Sequence, residues 1–112
     1  MKFYRIDDQT VISDKTLSAG EELTANTTDG AYEKHVPVIE QNGDTVSVKV
    51  GSVEHPSIPA HYIEWILLET ETGFQIRYLK PGQVPAAVFR TTEPVKAAYE
   101  YCNLHGLWKA EA

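Results

Sequence analysis

The sequence predicts an all-β protein, an antiparallel β-sandwich of about seven short strands. Two observations lead to this fold class. Short runs of alternating apolar and polar residues recur along the chain, separated by turn-forming residues at intervals of about ten positions. In addition, Asn42-Gly43 lies between two runs of alternating valines, and Asn-Gly in that setting is the strongest short-range signal for a hairpin.

The N-terminal region contains one strand pair followed by a polar stretch. Residues 2–6 and 10–13 are β-prone runs separated by acidic and amide residues, which predicts a small hairpin. Residues 13–30 are rich in Ser, Thr, Asp, Asn and Gly. They predict a loop with one short strand near residues 22–26.

Further strands are predicted beyond the Asn-Gly hairpin. Residues 62–68 carry large apolar side chains on both faces, with Ile63 placed by alternation on the same face as Trp65, so we predict a strand buried on both sides. Residues 74–78 and 86–91 also alternate and predict two more strands.

The run at residues 94–101 is ambiguous. Its alternation suits a strand, whereas residues 96–100 have helix propensity. We predict a strand, because this run continues the spacing of short strands and turns before it.

Length and composition are those of one globular domain. The chain has 112 residues, of which 42% are hydrophobic and 23% charged. The change from polar to strand-forming sequence separates a short, cysteine-free N-terminal segment, residues 1–27, from the main domain, residues 28–112.

Charge and cysteine content restrict the class of partner and the compartment. The formal net charge is −6, whereas nucleic acids and anionic membranes are bound by clustered Lys and Arg, so we expect neither as partner. One cysteine cannot form an internal disulfide, and acidic residues near the N-terminus stand where a signal peptide needs an apolar run. We therefore expect a cytoplasmic protein.

The side chains best suited to bind a transition metal are confined to three short segments. His35 precedes the predicted hairpin, His55 and His61 flank a segment with two prolines, and Cys102 and His105 lie near the end of the chain. Taken singly, each histidine is most simply a hydrogen-bonding residue, and the cysteine a small buried hydrophobe. Together they stand at loop–strand junctions, which leaves a shared metal site as the alternative.

Local geometry allows these donors to converge. Residues i and i+3 of a strand point to opposite faces, but a turn at Asn103-Leu104 brings Cys102 and His105 together. In an extended strand His55 and His61 would be roughly 20 Å apart, and the prolines between them force a looped connection instead.

The number of donors favours iron. Four imidazoles and one thiolate exceed the four ligands of a structural zinc site. Imidazole suits Fe(II), and a thiolate pushes electron density toward whatever binds opposite it. Five protein ligands leave one octahedral position open for a small substrate.

Three motifs resemble the superoxide reductases, the desulfoferrodoxin and neelaredoxin family. The resemblance runs from about Thr28 to the C-terminus. The motifs stand in the family's order and spacing, and they read Glu33-Lys34-His35-Val36-Pro37-Val38, His55-Pro56 with His61-Tyr62-Ile63-Glu64-Trp65, and Cys102-Asn103-Leu104-His105-Gly106-Leu107-Trp108.

The resemblance implies an immunoglobulin-like β-sandwich with one mononuclear iron in a square pyramid. It makes His35, His55, His61 and His105 the equatorial ligands and Cys102 the axial thiolate. It also implies the one-electron reduction of superoxide to hydrogen peroxide with an external electron and two protons, without release of dioxygen.

The resemblance assigns catalytic roles to two further residues. Glu33 matches the residue that occupies the sixth position in the ferric resting state. Lys34 matches the residue that attracts superoxide and helps to protonate the product. A local positive charge is needed because the substrate is an anion and the protein is acidic.

The sequence departs from the two-iron members of the family. Residues 1–30 contain neither cysteine nor histidine, so they cannot build the second, rubredoxin-like iron site. We interpret residues 1–27 as a remnant of a desulforedoxin-like domain. Electrons are then expected from a separate rubredoxin-like donor, and the family implies a homodimer.

Two other classes of protein remain as alternatives. A cupredoxin-like electron carrier also places Cys and His on one loop of a sandwich, but its copper uses two histidines and usually a methionine, and the only methionine here is Met1. A zinc-stabilised sandwich that serves as a binding module is the second alternative.

Overall fold

The computed structural model describes residues 1–28 and 34–112 of the chain. The described part is folded into β-strands joined by turns and loops. The strands are β1 (Lys2–Ile6), β2 (Gln9–Ser13), β3 (Glu21–Glu22), β4 (Pro37–Asn42), β5 (Thr45–Val50), β6 (Ile63–Thr70), β7 (Phe74–Tyr78), β8 (Ala86–Arg90), β9 (Val95–Cys102) and β10 (Gly106–Glu111).

Strands β4 to β10 form the predicted antiparallel sandwich. One sheet has the order β10-β9-β6-β7 and the other the order β4-β5-β8. The chain therefore crosses between the sheets after β5, β7 and β8, as in Greek-key sandwiches. The fourth strand of the sandwich, β7, pairs with β6, whereas constant-type immunoglobulin domains place their fourth strand on the opposite sheet. The all-β sandwich expected from the sequence is confirmed.

The N-terminal segment forms a third sheet with the order β2-β1-β3. Asp7 and Asp8 connect β1 to β2 with φ angles of 50° and 60°, which are the values of a type I′ hairpin turn. The predicted hairpin is thus confirmed. The expected strand near residues 22–26 is shorter than predicted, because β3 contains two residues.

The Asn-Gly hairpin is confirmed with a shifted turn. Asn42 pairs with Thr45, so the two loop residues are Gly43 and Asp44. Gly43 has a φ of +61° whereas Asp44 has no positive φ, and a positive φ at the first loop position alone distinguishes a type II′ turn from type I′. Glycine is the residue that adopts this conformation without steric cost.

Two hydrophobic cores lie on opposite faces of the four-stranded sheet. The inner core fills the space between the two sheets of the sandwich. The outer core lies under the N-terminal sheet, where Phe3 packs with Trp65, Leu67 and Tyr99. Strands β6 and β9 are therefore buried on both faces, which confirms the prediction for residues 62–68.

The face predicted for Ile63 is wrong. The pairing of β6 with β9 shifts register between Ile63 and Trp65, as in a β-bulge. Ile63 consequently packs in the inner core with Ile66, while Trp65 packs in the outer core. A bulge of this kind inverts the alternation on which the sequence prediction depended.

The C-terminal strand β10 escaped prediction, while the ambiguous run before it is confirmed as strand β9. The outer edge of β10 is covered by Asn26. The Asn26 N–H donates to the Leu107 carbonyl at 2.9 Å, and the Asn26 carbonyl accepts from the Lys109 N–H at 2.8 Å. No helix in the described residues is long and apolar enough to cross a membrane.

Candidate metal centre

The five predicted metal-binding side chains meet at one end of the sandwich. The reason is topological: β4 and β6 begin, β5 and β9 end and β10 begins at that end, as the pairs Pro37–Val50 and Ile63–Cys102 show. The segments before β4, between β5 and β6, and between β9 and β10 therefore converge. These segments carry His35, His55 with His61, and Cys102 with His105.

The four imidazoles form a nearly square ring. Neighbouring ring centroids lie 4.9 Å apart for His35 and His55, 4.6 Å for His55 and His61, 5.0 Å for His61 and His105, and 4.8 Å for His35 and His105. The diagonal between His35 and His61 is longer, at 6.4 Å. Four equal edges and a longer diagonal are the arrangement that four ligands take around one ion.

The thiol of Cys102 approaches this ring from the core side. Cys102 is 0% exposed and belongs to the inner core, whereas His105 is exposed. The Sγ of Cys102 lies 3.5 Å from His55 Nε2 and 3.8 Å from His105 Nδ1. The donor atoms of His35, His61, Cys102 and His105 all lie within 4.8 Å of one another. Among the described residues, the ring is therefore buried on the side of Cys102 and exposed at His105.

His55 is prepared to bind a metal through Nε2. Its Nδ1 lies 2.7 Å from the Pro56 carbonyl oxygen, which can only accept a hydrogen bond, so Nδ1 carries the proton. Burial, opposed by that hydrogen bond and assisted by the charges of the other histidines, lowers the pKa of His55 from 6.5 to about 4. His55 is therefore neutral at pH 7, with the lone pair of Nε2 directed toward the thiol.

His61 and Cys102 show that the site fits a metal ion. His61 Nε2 is buried and has no hydrogen-bond partner among the residues that the structure describes, although buried polar atoms are normally paired. Burial lowers the pKa of His61, and the charges of His105 and Lys34 add to this effect. Burial also raises the pKa of the Cys102 thiol, although hydrogen bonds from the backbone N–H groups of Leu104 and His105 partly oppose this effect. The thiol therefore keeps its proton until a metal displaces it.

Lys34 lies close enough to influence the site electrostatically. Its charge contributes to the lowered pKa of His61, after burial and the charge of His105, so Lys34 acts on at least that ligand. Glu33, the other residue with a predicted catalytic role, lies outside the described residues.

Two residues of the C-terminal motif brace the ligands, and sequence reasoning missed both functions. Asn103, predicted as a turn residue, also forms hydrogen bonds with the residues on either side of His61. Trp108 stacks on the His35 imidazole with centroids 4.6 Å apart and planes at 15°. The sequence did contain a sign of these contacts: Asn103, which can both donate and accept hydrogen bonds, and the large aromatic Trp108 each lie within three residues of a candidate ligand.

Comparison with known proteins identifies the family. The desulfoferrodoxin family profile matches residues 27–111. A desulfoferrodoxin of Clostridium acetobutylicum is 49% identical over 89 residues, which cover 80% of this chain and 70% of that protein. A superoxide reductase of Thermococcus kodakarensis is 41% identical over 107 residues, which cover 79% of this chain and 93% of that protein.

The fold has a counterpart among solved structures. The crystal structure of the superoxide reductase from Treponema pallidum matches with a TM-score of 0.84 and 36% identity, and covers 99% of each chain. The family profile, the relatives and the shared fold agree with the convergence of imidazoles and thiol described above. This chain belongs to the desulfoferrodoxin family.

Proposed function

We propose that the protein reduces superoxide to hydrogen peroxide at a mononuclear iron, according to O2•− + e− + 2H+ → H2O2. The observation that carries the proposal is the square of four imidazoles above one buried thiol. Bound iron supplies the one-electron redox chemistry by changing between Fe2+ and Fe3+. The proposed ligands are His35, His55, His61, His105 and Cys102.

The residues around the ring determine where the substrate enters. Because Cys102 occupies the core side, a small anion can reach the site only from the solvent side, next to exposed His105. The neutral state of His55 prevents a build-up of positive charge from protonated imidazoles in the metal-free site. Cys102 Sγ would hold the metal from the buried side and, as a thiolate, would supply electron density to it.

Lys34 is proposed to attract superoxide to this open side. The protein carries a net charge of −6, so the long-range field repels an anion unless a local positive charge opposes it. The effect of Lys34 on His61 supports such a local field. Lys34 is also proposed to supply a proton to the product, and Glu33 to occupy the open position in the resting state.

Partners and domain organisation are proposed from the sequence. The electron comes from an external rubredoxin-like donor, and the protein forms a homodimer in the cytoplasm. Residues 1–27 are proposed to be the remnant of a desulforedoxin-like domain. The contact of Phe3 with Trp65 supports a structural function for this segment.

A rapid-mixing experiment on the reduced, iron-loaded protein tests the reaction. Superoxide generated by a radiolysis pulse should oxidise the iron once per molecule and yield hydrogen peroxide without dioxygen. Metal analysis and spectra of the oxidised form separate the other classes: zinc without a redox-dependent spectrum would support a binding module, and copper a cupredoxin-like carrier. Release of one dioxygen for every two superoxide molecules would instead indicate dismutation and refute the proposal.

A further inference from the structure

Trp108 lies in a strand and is paired through its backbone on both sides. Its backbone pairs with Glu100 of β9 on one side and with Asn26 on the other. The flanking carbonyl of Leu107 accepts hydrogen bonds from both the backbone N–H and the Nδ2 of Asn26, at 2.9 Å and 3.1 Å. A residue paired on both edges provides a fixed reference for side chains that rest on it.

The indole of Trp108 contacts two of the three ligand segments. One face lies nearly parallel to the His35 imidazole, with a centroid distance of 4.6 Å. Its Nε1–H donates to the backbone carbonyl of His105 at 3.1 Å. One side chain therefore connects the first ligand segment to the last, although they lie 70 residues apart in sequence.

A stacked indole suits a metal-binding histidine. The lone pairs of an imidazole lie in the plane of its ring, so a partner on the ring face leaves them available for the metal. His35 Nε2 lies 3.1 Å from His105 Nδ1, which places both nitrogens at the centre of the site. The stack restricts tilting of the His35 ring without occupying either nitrogen.

We infer that Trp108 is a positioning residue of the metal site. It fixes the plane of the His35 ring by stacking and the carbonyl of the His105 turn by hydrogen bonding. The inference rests on the proposed iron centre, and concerns ligand geometry rather than contact with substrate. Groups around a ligand commonly change metal affinity by 10–100-fold when they are removed.

Two substitutions separate the stack from the hydrogen bond. Trp108→Phe keeps a ring that can stack and loses the Nε1–H, whereas Trp108→Leu loses both. Phe74→Leu is the matched control. Phe74 is an aromatic residue that is 45% exposed, and it pairs with Glu69 at the start of β7, at the end of the sandwich opposite the metal site.

The experiment uses the iron-loaded full chain and measures iron release to excess chelator and the EPR spectrum of the oxidised form. We expect Trp108→Leu to release iron on the order of 10-fold faster and to broaden the EPR signal, because the His35 ring can tilt. Trp108→Phe, which loses only the hydrogen bond to His105, should release iron at a rate between those of the parent and Trp108→Leu. Phe74→Leu should match the parent in both release and spectrum. Equal release rates and spectra for Trp108→Leu and the parent would overturn the inference.

A measurement on the parent protein covers the case in which Trp108→Leu does not fold. An indole stacked on an iron ligand should be quenched, so tryptophan emission should rise on iron removal in the parent. It should rise much less in Trp108→Phe, whose remaining tryptophan, Trp65, packs in the outer core. No rise in the parent would refute the stack. Neither measurement uses superoxide, so iron-loaded protein that fails to reduce superoxide would refute the proposed reaction alone.

Discussion

Asn103 and Tyr62 are joined by two hydrogen bonds, one accepted by the Asn103 side chain and one between the two backbones. The Tyr62 N–H donates to Asn103 Oδ1 at 2.9 Å, and the Asn103 N–H donates to the Tyr62 carbonyl at 3.2 Å. Asn103 Nδ2 donates further to the Ala60 carbonyl at 3.2 Å. Both neighbours of His61 are thereby attached to the residue that follows Cys102.

Asn103→Ala should loosen the His61 segment. Loss of two side-chain hydrogen bonds is expected to lower the free energy of unfolding by about 1–3 kcal/mol and to accelerate iron release. Asn103→Asp retains the acceptor for Tyr62 and loses the donor to Ala60, so its effect should be smaller. Denaturant unfolding and chelator challenge measure both quantities, and an alanine variant equal to the parent would contradict this function of Asn103.

Lys34→Ala should slow the reaction with superoxide. Removing one positive charge beside the site is expected to lower the second-order rate constant roughly three- to tenfold at low salt and to reduce its dependence on ionic strength. Lys96→Ala is the control, since Lys96 is an exposed lysine at the start of β9, the end remote from the site. Pulse radiolysis over a range of salt concentrations measures both slopes; identical slopes for Lys34→Ala and Lys96→Ala would remove Lys34 from substrate attraction.

The stability of the metal-free protein should decrease in mild acid because of His55. Its pKa is 6.5 when unfolded and about 4 in the folded protein, where it is 2% exposed. The unfolded state therefore binds more protons between these values, and stability falls as the pH is lowered from about 6.5 to about 4. The shift corresponds to a loss on the order of 3 kcal/mol.

His55→Gln provides the reference for this pH dependence. Glutamine has an amide N–H that can replace the donor to Pro56 but does not titrate. Chemical unfolding of both metal-free proteins at several pH values should give a shallower dependence for the variant. Parallel curves would show that His55 is not the group responsible.

Phe3→Ala should destabilise the whole protein. Phe3 is 3% exposed, with its ring 4.8 Å from Tyr99 and 5.7 Å from Trp65 between centroids. The cavity is expected to cost about 3–5 kcal/mol in one cooperative transition, while Phe3→Leu should cost much less. The EPR spectrum of the iron should stay unchanged in both. A small, separate unfolding step would mean that the N-terminal segment does not share the core of the main domain.

The sequence was informative where the signal is local. The hairpins at Asp7-Asp8 and Asn42-Gly43 depend on a few adjacent residues. For β9, alternation was ambiguous, and the regular spacing of strands and turns gave the right prediction. The sequence also showed directly that the histidines and the cysteine are confined to three short segments. Because these segments flank antiparallel strands, their convergence follows once the strand order is known.

The alignment of strands that are distant in sequence could not be predicted. The bulge beside Ile63, the pairing of Asn26 with β10 and the stack of Trp108 on His35 each depend on how distant strands are aligned. None of these contacts has a short-range signature. The contacts of Asn103 and Trp108 with the ligand segments were missed for this reason, although both residues belong to the C-terminal motif, residues 102–108.

The two-sided burial of β6 and β9 has an evolutionary consequence for the N-terminal segment. Deleting it would uncover Trp65 and Tyr99, so the apolar side of the segment is required by the main domain. Purifying selection should act on positions such as Phe3, while the turn at Asp7-Asp8 is free to vary within the residues that tolerate positive φ. Selection can thus retain this segment because the four-stranded sheet needs its outer face covered.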